Sequence, residues 1–222
     1  MTLAELINQF RIEVSDRALP YLWEDDEVKL WLNEAQEEAT IRARLIRDKT
    51  SAFCQVLVLP IVTSYAIDQR IIEIVYANMV YTASPQMFPY VLGKSTSDDL
   101  DMMRPAWRSL VYRPTSIIPY DTSIEVDCIP DAAYTINLEV YRLPLVSMLA
   151  ETDSPEINLI HHRHLIKWAK HRAYGKQDSD VQDNEKSAKY ESEFEDIFGK
   201  RPDANYRKRA NSNKPHRNRS YF

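Results

Sequence analysis

Hydrophobic periodicity changes twice along this chain, and those two changes leave few architectures open. Residues 2–14 have helical spacing, with Leu3, Leu6, Ile7, Phe10 and Val14 on one stripe. Thr2 and Glu5 stand at the spacing of a capping box. A break around Ser15–Leu22 contains Pro20, and a second helix is expected to start at Glu24–Asp26, whose acids suit the positive end of a helix. Val28, Trp31, Leu32, Ala35, Ala39 and Ile46 then share a face opposite one rich in Glu and Arg. After Lys49 the texture becomes β-branched and aromatic: QVLVLPIVTSY and RIIEIVYANMVY within 53–81, then TSIIPY, TSIEVDCIP and YTINLEVYRLPL within 115–145. Pro60, Pro119 and Pro130 fall where strands end or lie at an edge.

Between the two β blocks, 82–97 reads as a long polar loop, followed by a short helix over 98–104 and by Trp107 beyond Pro105. Helical spacing returns after Pro155. It predicts one helix through Ile157, Ile160, His164, Trp168 and Ala169 to Tyr174, stopped by Gly175. A more polar helix follows, with Val181, Ala188, Tyr190, Phe194, Ile197 and Phe198 as its apolar contacts and Gly199 as its stop. Helices and strands kept apart in this way predict an α+β fold rather than α/β: N- and C-terminal helices form a helical body, joined to a central antiparallel β domain. The expected division is a helical hairpin over 1–49, a β domain with an inserted loop and short helix over 50–150, helices packing on the first pair over 151–199, and an extended arm over 200–222.

The arm has the opposite charge to the rest of the chain. Residues 200–222 hold eight Lys or Arg and one acid, a net +7; with the whole chain at −5, residues 1–199 carry −12. Pro202 and Pro215 interrupt it, and it has no hydrophobic run. Such a segment cannot bury enough apolar surface to offset its ordering entropy, so it is expected to order on a partner. Two partner classes fit: a protein with an acidic surface, or nucleic acid whose phosphates the arm tracks.

Composition narrows the chemistry. Hydrophobic residues at 44% and charged residues at 27% are ordinary for a globular chain. There is neither a signal-peptide start nor an apolar run of about 18 residues, so no membrane segment is expected. Cys54 and Cys128 are expected to be buried free thiols, consistent with a reducing compartment. The three glycines, at 93, 175 and 199, exclude a Gly-rich phosphate loop. The cluster His161, His162, Arg163, His164 with His171 beyond is the best metal candidate. However, seven helical residues span about 10 Å, too far for one ion, and Arg163 and Lys167 add positive charge. No metal, cofactor or catalytic residue is therefore assigned. The acidic runs Glu24–Asp26 and Asp98, Asp99, Asp101 read as helix N-terminal charge, lacking the alternating ligands and turn glycine of a calcium loop. Phe88 and Tyr90, in the long loop, are candidate contacts to a tail protein or a neighbouring subunit.

Three stretches resemble a tailed-bacteriophage head-to-tail adaptor family. They are PYLWEDDEVKLWLNEAQEEATIRARLI (20–46), EVYRLPLVSMLAETDSPEI (139–157) and HHRHLIKWAKHRAYGKQDSDVQDNEKSAKYESEFEDIFGKRPDA (161–204). LIKWA (165–169) and YGKQD (174–178) are the most specific parts. The resemblance implies a structural virion protein of the neck, made in the host cytoplasm, with no catalytic residues. It implies a homo-oligomeric ring, usually of twelve copies, beneath the portal vertex. That ring would bridge portal protein to tail or nozzle protein, pass DNA through its lumen without sequence-specific binding, and extend a C-terminal arm onto the portal. In that setting the arm is expected to dock through Arg201, Tyr206, Arg207, Lys208, Arg209, Lys214, Arg217, Arg219, Tyr221 and Phe222.

Overall fold

A computed structural model describes residues 1–83, 89–177 and 182–203. The fold is α+β, and the chain divides into two compact units. Both ends of the described chain build the first, Met1–Ile46 with Arg142–Pro202; the second runs from Arg47 to Tyr141.

Helix α1 (Leu3–Val14) opens the first unit with the capping box its sequence predicts, Thr2 Oγ1 accepting from Glu5 N and Glu5 from Thr2 N. Helix α2 (Asp25–Ala43) has three acids in its first turn and ends at Arg44, whose φ of 51° turns the chain away. The break between them is held by a buried charge that periodicity does not reveal. Arg11 donates to Asp16 at 2.8 Å, to the Trp23 carbonyl at 3.0 Å and to Asp25 at 2.5 Å. Asp16 also accepts from Leu22 N at 3.0 Å, so one buried pair organises the whole connection.

The second unit comes next in the chain. Its main sheet joins β1 (Arg47–Asp48), β2 (Gln55–Val58), β4 (Ile71–Tyr81), β5 (Tyr90–Val91) and β11 (Tyr134–Arg142), in the order β1-β11-β4-β5 with β2 also on β11. A second sheet has the order β3-β9-β8-β6, from β3 (Ser64–Ala66), β9 (Ser123–Val126), β8 (Ser116–Pro119) and β6 (Gly93–Lys94). Helix α3 (Ser97–Met103) lies in sequence between β6 and the short pair β7 (Val111–Tyr112) and β10 (Ile129–Pro130). Most pairings are antiparallel as expected, but β6–β8 and β7–β10 are parallel. Strict alternation along β11 buries Tyr134, Ile136, Leu138 and Val140 against Val56, Ile74, Met79, Ile117 and Val126.

Helices α4 (Leu159–His162), α5 (Leu165–Gly175) and α6 (Asn184–Phe198) complete the first unit. Its core joins Leu3, Leu6, Phe10, Trp31 and Leu32 to Leu165, Trp168, Phe194 and Phe198.

Three expectations are corrected here. The single helix over 157–174 is two, because Arg163 and His164 form a turn and the apolar Ile160 faces solvent. Buried Ser187, not Ala188, faces α5: its Oγ donates to the His171 carbonyl at 3.0 Å. Helix α5 ends at Gly175 as the sequence predicts, and the glycine also permits close approach, since a Cβ there would meet Ser187 Oγ at 3.1 Å. In the expected loop 82–97, residues 90–94 carry β5 and β6, whose long-range pairings no local pattern announces. Val181 lies outside the described residues.

Candidate interaction surfaces

The start of the basic C-terminal segment, at Arg201, is tied down by an ion network of uneven burial. Glu38 and Arg42 sit one turn apart on α2, a spacing that normally reads as a solvated pair. Here α6 covers that face. Arg42, only 4% exposed, donates Nε to Glu38 at 3.2 Å and stacks its guanidinium over Trp168 and Phe194 at 5.1 and 5.2 Å. It also reaches the Gly199 carbonyl at 3.5 Å and Glu195 at 3.7 Å. Glu38 then extends its other oxygen to Arg201 at 3.0 Å, a side chain 61% exposed. Gly199, at φ 82°, ends α6 in a conformation that L residues rarely adopt, and the chain passes from there to Arg201. Arg201 is thus placed on the α2 surface. Tyr206, Arg207, Lys208, Arg209, Lys214, Arg217, Arg219, Tyr221 and Phe222 lie outside the described residues.

The histidines do not converge. His162 is buried, its Nε2 hydrogen-bonded to the Ile157 carbonyl at 2.9 Å and its Nδ1 3.0 Å from the Met1 amino group. His171 is bonded to Ser187 at 3.1 Å. His161 packs on Phe198, ring centroids 5.5 Å apart. Burial, and then the neighbouring His164 and His162, hold its pKa below the ordinary histidine value. Among the described residues no group of three His, Cys, Asp or Glu could hold a metal ion. His162 and His171 are thus used in hydrogen bonds within the helical unit, and His161 and His164 pack on Phe198.

Both cysteines are buried free thiols, as expected. Burial, reinforced by Asp127, pushes the Cys128 thiol up to about 12, which removes its nucleophilic form at neutral pH. Asp127 itself is fully buried, but it is satisfied by Thr115, accepting from the backbone N at 2.9 Å and from the hydroxyl at 2.5 Å. Such a carboxylate ties β9 to the chain ahead of β8. Asp98 and Asp99 occupy the first turn of α3, while Asp101 accepts from the Trp107 indole at 2.8 Å.

Of the two candidate loop contacts, Phe88 lies outside the described residues. Tyr90 is not in a free loop. It pairs with Met79 in β5, meets the Tyr81 ring edge-on at 6.4 Å, and carries the Arg113 guanidinium 3.9 Å above its face. What changes is its setting: Tyr90 is held at the sheet edge by β4 rather than in a loop.

Exposed apolar residues concentrate at Pro60, where the sequence places a strand end or edge. Leu59, Pro60, Ile61 and Val62 form a turn between β2 and β3, and all four face solvent, Ile61 at 80%. Ile61 has φ 73°, a left-handed conformation costing a β-branched residue about 1–3 kcal/mol. Tyr65 fixes the turn: its hydroxyl accepts from Leu59 N at 3.1 Å and donates to the Val62 carbonyl. The warning in the sequence is Pro60, which breaks the alternation two residues past Val58.

The described residues thus form two compact units, with Arg201 held on Glu38 of α2. The model of the SU10 adaptor protein family matches residues 1–219, and the chain belongs to that family of tailed-bacteriophage head-to-tail adaptors. No curated protein matches it. No helix among the described residues is long and apolar enough to cross a membrane.

Proposed function

We propose that the protein forms a ring in the virion neck, of twelve copies, joining the portal to a tail or nozzle protein while DNA passes through the lumen. Residues 200–222 dock on the portal. Their cations face acidic portal surface, and Tyr206, Tyr221 and Phe222 act as anchors. The observation that carries this reading is the arm root: a net +7 segment leaves an otherwise −12 chain from a point pinned by buried Glu38. Pinning the root limits the volume the arm explores and so raises its effective concentration at a neighbouring surface. Many arms on one ring make docking multivalent, so each contact can be weak. The acidic remainder suits a channel wall that repels phosphates and lets DNA slide.

The test is recruitment to tail-less heads that carry portal. The full chain binds and the chain lacking 204–222 does not; equal recruitment of both refutes arm docking. Because the arm is basic, DNA binding is measured alongside. Affinity that collapses with salt and vanishes with the arm, with head recruitment intact, would instead favour a nucleic-acid-binding role.

A further inference from the structure

The short helix α4 and the turn after it carry His161, His162 and His164, and two of these meet the end of α6. The His161 ring packs on Phe198 with centroids 5.5 Å apart, and His164 meets the same ring edge-on at 6.5 Å. Phe198 is the last residue of α6, is buried, and packs in turn on Phe194 at 4.6 Å. Directly beyond it come Gly199, whose carbonyl meets Arg42, and Arg201, which sits on Glu38. His161 Nδ1 is enclosed and has no hydrogen-bond partner among the described residues. A neutral imidazole leaves only a lone pair unbonded there. An imidazolium instead carries a proton on Nδ1 with nothing to receive it. The Phe198 face attracts a cation but supplies no strong acceptor.

The charges nearby do not offset that cost. His164 and His162 both oppose a further positive charge on His161, and His162 also holds the Met1 amino group at 3.0 Å. Arg163 beside His161, and Lys200 beyond Gly199, add cations. The acids of the neighbouring elements are engaged elsewhere: Glu193 of α6 with Lys167 of α5, Glu195 with Arg42 at 3.7 Å, Glu156 with Arg142, and Asp153 with the Leu149 and Ala150 amides. Asp196 faces solvent. A proton on Nδ1 therefore requires a packed group to move and admit water. Helix α4 is held by His162, whose Nε2 is 2.9 Å from the Ile157 carbonyl. The end of α6 has more room, since a Cβ at Gly199 would meet nothing within 4 Å.

We infer that His161 is a proton-operated latch on the start of the basic C-terminal segment. While neutral it packs against Phe198 and holds the last turn of α6; on taking up a proton it expels Phe198, that turn lifts, and Arg201 leaves Glu38. The segment then departs from a loose origin instead of a fixed one. The device is local to the helical unit and operates whatever surface the segment docks on.

The test is amide hydrogen exchange by NMR on the full chain from about pH 7.5 to about pH 5, corrected for the intrinsic pH dependence of exchange, with His161 followed through its ring Cε1 proton. Gly199 N–H, bonded to the Glu195 carbonyl at 2.7 Å, reports the last turn of α6, and Ala169 in α5 reports the unit as a whole. Gly199 protection is expected to fall as His161 titrates below the ordinary histidine value, by about tenfold for each pH unit separating its open and enclosed values, while Ala169 protection holds. His161→Phe keeps a ring against Phe198 without the proton and should hold Gly199 protection constant. His164→Gln removes one opposing charge, so the fall should move to higher pH. A Gly199 midpoint that does not coincide with the His161 ring titration, a fall that persists in His161→Phe, or an equal fall at Ala169 would each overturn the latch. The first of these is read on the wild type alone and needs no variant to fold. Head recruitment plays no part in the readout, so the adaptor reading and the latch stand or fall separately.

Discussion

Glu38 serves two arginines of very different exposure, and their substitutions should separate accordingly. Replacing Glu38 with alanine leaves Arg42 buried at 4% exposure, with only the Gly199 carbonyl at 3.5 Å and Glu195 at 3.7 Å to replace it. Orphaning one member of a buried pair costs about 3–5 kcal/mol; the two remaining longer contacts place the expected loss near the lower figure, about 3 kcal/mol. For a chain of this size that is a fall in thermal midpoint of roughly 6–12 °C. Arg201→Ala touches the same carboxylate from a side chain 61% exposed, and should cost about 0–1 kcal/mol. The assay is urea unfolding followed by tryptophan fluorescence. Trp23, Trp31 and Trp168 all lie in the helical unit, and Trp168 is 5.1 Å from the Arg42 guanidinium. The decisive variant is the double substitution Glu38→Ala with Arg42→Leu, which removes the orphaned charge and keeps apolar cover over Phe194. It should recover to within about 1 kcal/mol of wild type. A Glu38→Ala protein within about 0.5 kcal/mol of wild type, or a double variant no better than the single one, would refute the argument.

Other consequences can be measured on the same protein. Arg11→Leu strands Asp16 in the α1–α2 connection and should cost about 3–5 kcal/mol by urea unfolding, while Lys29→Ala, in an exposed pair, changes little. His161 is held below the ordinary histidine value, 6.5, chiefly by burial. Between that value and its lowered folded pKa the unfolded chain binds more protons. Stability is therefore complete above 6.5 and falls as pH drops through the window, and His161→Phe should flatten the slope there in a pH series of thermal midpoints. Glu193, lowered first by its hydrogen bond to Lys167, has the window lower down: its contribution is present above 4.5 and lost as pH falls through its folded pKa, and Glu193→Gln removes that dependence. Cys128, pushed up to about 12, and buried Cys54 should both resist iodoacetamide in the native state and react on unfolding, scored by mass spectrometry.

The two periodicities were enough to read the α+β class, because α1 and β11 each bury one clean face and their ends carry local chemistry such as the Thr2 capping box. Reading failed where a neighbour distant in sequence decides a residue's fate. Glu38 and Arg42 look solvated until α6 covers them; Arg11 looks like a surface cation until Asp16 and the Trp23 carbonyl close on it. Gly93 and Lys94 become strand through a parallel partner, Ser116 and Ile117, that no local pattern indicates. Tyr90, read as loop, pairs in β5 beside Tyr81 and Arg113, and Ile61, just past the Pro60 break, takes a left-handed φ that no local pattern announces.

The helical unit draws on both Met1–Ile46 and Arg142–Pro202, with the β unit contained between them in the chain. On a ribosome that order imposes a schedule. The segment Arg47–Tyr141 holds all its own pairing partners and can condense as soon as it emerges, whereas α1 and α2 expose Leu6, Phe10 and Trp31 until α5 and α6 arrive. Arg201 has no seat before then, since Glu38 and Arg42 are fixed only once Phe194 and Gly199 are in place. Completion of the helical unit is therefore a built-in checkpoint: Arg201 gains its seat on Glu38 only once α6 has docked on α2 and α5.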